Sequence, residues 1–114
     1  MARNTMYITK ELEKKFLANP LYSHDGEGLN AKIIAKFFLP GTDCTWLITE
    51  AKKEENGDWT FYGYMKITEW EFGYVTYNEM KSVLLRGLFR IELDKYLEKG
   101  ITIKDYLEKY TSNL

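Results

Sequence analysis

The chain has 114 residues, 45% of them hydrophobic and 16% aromatic, and its 16 basic and 17 acidic side chains leave a formal net charge of −1. That length suits one domain with its own core, and the near balance of charge argues against a nucleic-acid binder built on a broad basic face and against a strongly acidic DNA mimic, leaving local patches open. A single cysteine, Cys44, excludes an internal disulfide and a cysteine-rich zinc site.

The opening stretch Met1 to Lys15 is polar and charged, unlike a signal peptide, so a cytoplasmic protein is expected. Thr9 can cap a helix running through Leu12, Phe16 and Leu17, which Asn19-Pro20 stops because proline disfavours helix in the residue before it. Residues 32–39 and 45–52 are rich in β-branched and aromatic side chains, and Pro40-Gly41-Thr42-Asp43 between them has turn chemistry. The longest apolar run, 33–39, is interrupted by Lys36 and is too short to span a bilayer. Asn56-Gly57 is a hairpin signal. After it, residues 59–67 alternate, with Trp59, Phe61, Gly63, Met65 and Ile67 on one face and Thr60, Tyr62, Tyr64 and Lys66 on the other. Residues 72–75 read as a further short strand.

Thr76-Tyr77-Asn78-Glu79 is a capping box, in which hydroxyl and carboxylate satisfy free backbone donors reciprocally, with Val75 and Met80 as its hydrophobic staple. Gly87 is the expected stop of that helix. Residues 88–99 fit both periods; a short strand passing into a helical turn is the expectation, with Gly100 suiting a helix end. Thr102-Ile103-Lys104-Asp105 is a second, looser box, leading a helix that places Ile103, Tyr106, Leu107 and Tyr110 on one face. The expected fold is a single α+β domain over residues 1–114: a twisted antiparallel β-meander of four or five strands with about three flanking helices.

The ordered elements Lys36-Phe37-Phe38, Thr45-Trp46, Thr49-Glu50, Tyr62-Gly63, Phe72-Gly73-Tyr74 and Glu79 resemble the family catalogued as domain of unknown function 2958. Asn19-Pro20-Leu21-Tyr22 resembles the family's opening, and Ile91-Glu92 with Asp94 a later element, so the likeness runs from about Asn19 onward. Leu93 departs from the arginine usual there, which removes a charge, and Phe72 stands where leucine is common. The resemblance implies a small protein of phages, plasmids or other mobile elements, in a bacterial host cell. It implies no activity.

The residues leave several chemistries to weigh. Glu50 and Glu71, if one sheet brought them together, would repel each other and give an acid/base pair, with His24 as another partner for Glu50 in a small hydrolase. The plain alternative is that Glu50 ends a strand, Glu79 serves the cap, and Glu71 and Glu92 are solvated. With Asp94 these carboxylates are also magnesium-ligand types, but no Asp-x-Asp pattern joins them, so neither metal nor cofactor is expected. His24-Asp25 would suit a general base with Asp25 orienting the imidazole, but it lies in a polar loop; Cys44 lacks a cationic sequence neighbour, and no nucleophile elbow or phosphate loop is present. The aromatics Trp46, Trp59, Tyr62, Tyr64, Trp70, Tyr74 and Tyr77 exceed what one small core easily encloses. If the apolar face of residues 59–67 packs on helices, Tyr62 and Tyr64 point outward, beside Lys66. Such a row suits a protein interface, a planar ligand or stacked bases; with helices on both faces it would be core instead. The expected binding residues are Trp46, Glu50, Tyr62, Tyr64, Glu71 and Tyr74. The expected function is a non-enzymatic mobile-element accessory that binds a host or element-encoded protein, such as a counter-defence inhibitor of a CRISPR effector. A ligand sponge with Trp46, Tyr62 and Tyr74 around a pocket, the hydrolase, and a nucleic-acid accessory are the alternatives.

Overall fold

A computed structural model of the chain describes residues 4–111; the first three residues of the polar opening stretch lie outside it. Thr9 caps α1 (Lys10–Ala18), its hydroxyl accepting the Leu12 N–H at 3.1 Å, and Asn19 closes the other end. Four strands follow as hairpins: β1 (Ala35–Phe38), β2 (Thr45–Lys53), β3 (Trp59–Lys66) and β4 (Trp70–Thr76). The capping box then starts α2 (Tyr77–Lys81), with the Thr76 hydroxyl on the Glu79 N–H and the Glu79 carboxylate on the Thr76 N–H. A two-residue strand β5 (Glu92–Leu93) precedes α3 (Ile103–Tyr110), which Thr102 caps. The sheet order is β4-β3-β2-β1-β5, every neighbour antiparallel, so the meander gains a fifth strand beside β1. The α+β expectation holds.

Several boundaries move, for identifiable reasons. β1 begins only at Ala35, because Ile33 spends its N–H on Ile101 and Lys32 bridges to Thr102. β4 starts at Trp70 rather than Phe72, paired throughout with β3. α2 stops at Lys81, well before Gly87; that glycine, at φ +68°, serves instead the tight turn closed by the Leu85–Phe89 bridge. The ambiguous 88–99 stretch holds β5, but isolated turns and irregular backbone take the place of the expected helical turn.

The two faces of the sheet differ. On one, Phe16 from α1 and Met80 from α2 pack with Phe37, Trp46, Ile48, Trp59, Phe61 and Ile91. Phe16 is fully enclosed, its ring 5.2 Å from Trp59 and 5.1 Å from Phe61, a burial that contributes about 2–3 kcal/mol. On the other, Ile103 and Tyr106 of α3 join Ala31, Ile33, Leu47 and Ile101 in a smaller cluster. That cluster centres on the β1–β2 side, with only Tyr64 and Trp70 of β3 and β4 packed at its margin.

One irregularity decides what the second face presents. The β2–β3 register shifts between Ile48 and Glu50. Trp46 and Ile48 face the large core, so strict alternation would send Glu50 there too. The extra residue, Thr49, returns Ala51 to the large core and turns Glu50 to the side of its cross-strand partner Tyr62. Gly63 lies opposite, so close to β2 that a Cβ on it would stand 2.0 Å from the Leu47 carbonyl oxygen.

Candidate functional site: an aromatic sheet face

Alternation along β3 and β4 puts Tyr62 and Tyr64 on the same face as Trp70, Phe72 and Tyr74, and the register joins them as the pairs Tyr62–Tyr74 and Tyr64–Phe72. The five rings form one chain of contacts: Tyr74 to Tyr62 at 4.9 Å, Tyr62 to Phe72 at 5.9 Å, Phe72 to Tyr64 at 4.6 Å and Tyr64 to Trp70 at 5.2 Å. Aromatic pairs of this kind add about 0.5–1.5 kcal/mol each beyond their buried area. The row is open to solvent at one end, where Tyr74 is 53% and Phe72 39% exposed, while Tyr62, Tyr64 and Trp70 are half-buried, the last two against the α3 cluster. Beyond Trp70 an open groove of about 800 Å³ runs past Thr45 and Lys66 to Tyr106 and Tyr110 of α3.

The far end of the row is set by Glu50. Its side chain is 2% exposed, and its two oxygens accept the backbone N–H groups of Tyr22 at 2.8 Å and His24 at 2.9 Å. A buried carboxylate is tolerated because charge-assisted bonds replace its water. The effect is to clamp the turn after Pro20 against the sheet and to hold Tyr22 at φ +72° beside Tyr74. His24 stiffens the same turn, with Nδ1 2.7 Å from Glu27 and Nε2 2.7 Å from the Asn19 side-chain oxygen.

The electrostatic character of the row is negative. Burial, together with the charges of Glu50 and Asp25, pushes the Tyr62 phenol above its ordinary value of 10.0. Hydrogen bonding by Tyr22, then burial and the Tyr22, Tyr62 and Glu50 charges, raise Tyr74 likewise. Lys66, at the other end, is paired with Asp43 at 2.8 Å, which in turn holds the Asp43 carboxyl low. Because both phenols hold their protons more tightly folded than unfolded, the stability they contribute is full below about pH 10 and is lost as pH rises through the raised folded values. The melting temperature is therefore expected to fall above about pH 10, with phenolate absorbance lagging behind that of the denatured chain. Tyr62→Phe should reduce the lag; a lag that this substitution leaves unchanged would contradict the assignment.

The residues singled out from sequence do not form one site. Glu50, Tyr62, Tyr64 and Tyr74 share the open face. Trp46 is buried in the large core on the opposite side, so no pocket joins it to Tyr62 and Tyr74. Glu71 pairs with Met65 and points to that opposite side as well, at the exposed sheet edge; Glu50 and Glu71 cannot act as a pair. Glu50 does not end its strand: it sits within β2 as an anchor, both oxygens taken by backbone donors. Asp25 does not orient His24, since Glu27 occupies that position. Trp70 and Phe72 belong to the row and Tyr22 stands beside it; none of the three is among the expected binding residues, although every second position of Trp70-Glu71-Phe72-Gly73-Tyr74 is aromatic. Among the described residues no group of three or more His, Cys, Asp or Glu side chains could hold a metal ion, and no helix is long and apolar enough to cross a membrane.

Neither the curated proteins nor the solved structures include a match to this chain. A family model does match it, over residues 7–113. That span takes in α1, the whole sheet, the Glu50 anchor and the aromatic row, and it agrees with the resemblance read from the ordered motifs. The chain belongs to the family described as protein of unknown function, DUF2958.

Proposed function

We propose that this protein is a non-enzymatic binding module that docks a partner protein on the aromatic face. The observation that carries this reading is the row Tyr74–Tyr62–Phe72–Tyr64–Trp70, five rings in a continuous chain of contacts whose Phe72 and Tyr74 end stands exposed. Tyrosine and tryptophan dominate interface hot spots because they bring large contact area at small entropic cost. Lys66 at one end of the row is paired with Asp43, and the buried Glu50 stands at the other, which disfavours a phosphate backbone as occupant. The resemblance to mobile-element proteins supports the narrower form of the proposal: an accessory of such an element, acting on a host or element-encoded protein, with a counter-defence inhibitor of a CRISPR effector as its concrete version.

The test is affinity purification from the natural host with the parent chain and a Tyr62→Ser, Phe72→Ser, Tyr74→Ser variant. The variant is expected to keep its fold by circular dichroism and to bind the captured partner at least about 100-fold more weakly, because central aromatic anchors each contribute about 2 kcal/mol or more. Undiminished capture by the folded variant would refute the aromatic face as the docking surface.

A further inference from the structure

We propose that β4 takes up an extended, cation-bearing segment of the partner protein as a sixth strand. This rests on the protein-binding reading above and assigns the partner's local chemistry. β4 is the last strand of the sheet on its side. Its inward and outward main-chain groups can be told apart, because Thr76 gives its N–H to the Glu79 carboxylate rather than to β3. Alternation then directs the N–H and C=O groups of Tyr74, Phe72 and Trp70 away from β3, onto the free edge. The position of Tyr62 agrees: its carbonyl takes the Thr49 hydroxyl from the β2 side at 3.3 Å. A row of free donors and acceptors is the template on which a strand adds.

The side chains around the edge say which strand fits. On the large-core side, a recess of about 330 Å³ opens beside β4, lined by Met65, Ile67, Glu69, Glu71 and Gly73, with no basic residue among its lining. Gly73 leaves it unobstructed, since a Cβ there would meet nothing within 4 Å. An arginine or lysine of an added strand could lay its methylenes on Met65 and Ile67 and bring its charge to Glu69 and Glu71. On the other side, alternate side chains of the same strand would fall against Phe72 and Tyr74, where ring faces also favour cations. A second copy of this chain fits less well, because it would bring its own Glu69 and Glu71 to the same edge.

The probe is a short, end-capped peptide alternating threonine and arginine, compared with its threonine–glutamate counterpart, with amide hydrogen exchange of the intact protein as the readout. The arginine peptide is expected to slow exchange at Trp70, Phe72 and Tyr74 by about tenfold or more and the glutamate peptide to leave it unchanged. Glu71→Lys should abolish protection by the arginine peptide. The inference is overturned if the arginine peptide gives no protection, if both peptides protect equally, or if these amides are already protected in a concentration-dependent way without peptide. In each of those cases, loss of partner binding by the triple serine variant would still uphold the aromatic docking surface and exclude only the edge as its route.

Discussion

Replacing Gly63 with alanine is expected to unfold the domain or leave it barely folded. The reason is space: the glycine is not at positive φ, but a Cβ would stand 2.0 Å from the Leu47 carbonyl oxygen and 2.9 Å from the Ile48 Cα. Both are backbone atoms in the middle of the sheet, so no side-chain rotation relieves the overlap. β2 and β3 would have to separate where the bulge at Thr49 turns Glu50 to the aromatic face. A cost above about 4 kcal/mol follows, beyond ordinary overpacking and a large part of the roughly 5–15 kcal/mol that holds a domain together. Gly73→Ala supplies the contrast. It lies on the same sheet, opposite Gly63 on the edge strand, with open space around its Cβ position. Removing the entropic penalty of a strand glycine should leave it neutral or up to about 1 kcal/mol more stable. Chemical denaturation of the two variants decides the matter; a Gly63→Ala protein within about 1 kcal/mol of the parent would refute the close-approach account.

The same strand pair shows how far the sequence could be read. Thr9, Thr76 with Glu79, and Thr102 are local signals: each acts on donors within a turn of itself, so their helices start where the residues say. The alternation of Trp59, Phe61, Gly63 and Met65 against Tyr62, Tyr64 and Lys66 is also local, and the structure keeps both faces as read. The destination of Glu50 was not legible, because it depends on one extra residue in β2, and nothing in Thr45-Trp46-Leu47-Ile48-Thr49-Glu50 marks Thr49 as the bulge. Without the bulge Glu50 would share a face with Trp46. The sequence suggests both for one binding site, and the bulge puts them on opposite faces. Nor could sequence tell that α3 would cover the β1–β2 side and leave β4 open, since its apolar face, Ile103, Tyr106 and Leu107, fits either position. The aromatic row thus emerges from cross-strand pairing, whereas its individual residues were visible beforehand.

Glu50→Gln is expected to cost about 2–3 kcal/mol and to release the turn that carries Tyr22 and His24. Each oxygen of the native carboxylate accepts one backbone N–H, and the side chain is almost fully enclosed. Glutamine keeps one acceptor but turns an NH₂ group toward the other donor, so one charge-assisted bond is weakened and the other becomes a confrontation of two donors. The loss should be local before it is global: amide exchange at Tyr22 and His24 accelerates, while amides of β2 and β3 accelerate only by the overall change in stability. Tyr22 would no longer be held beside Tyr74, so the raised phenol of Tyr74 should move back toward its ordinary value of 10.0. Partner binding by the folded variant should weaken less than in the triple serine variant, because Tyr62, Phe72 and Tyr74 remain in place. A hydrolytic role for Glu50 predicts a different pattern, in which the variant keeps parental stability and turn protection and loses only turnover. Stability and exchange measured on the same sample distinguish an anchor from a reacting group: unchanged protection at Tyr22 and His24 would remove the anchor, and with it the account of why this face carries a buried carboxylate.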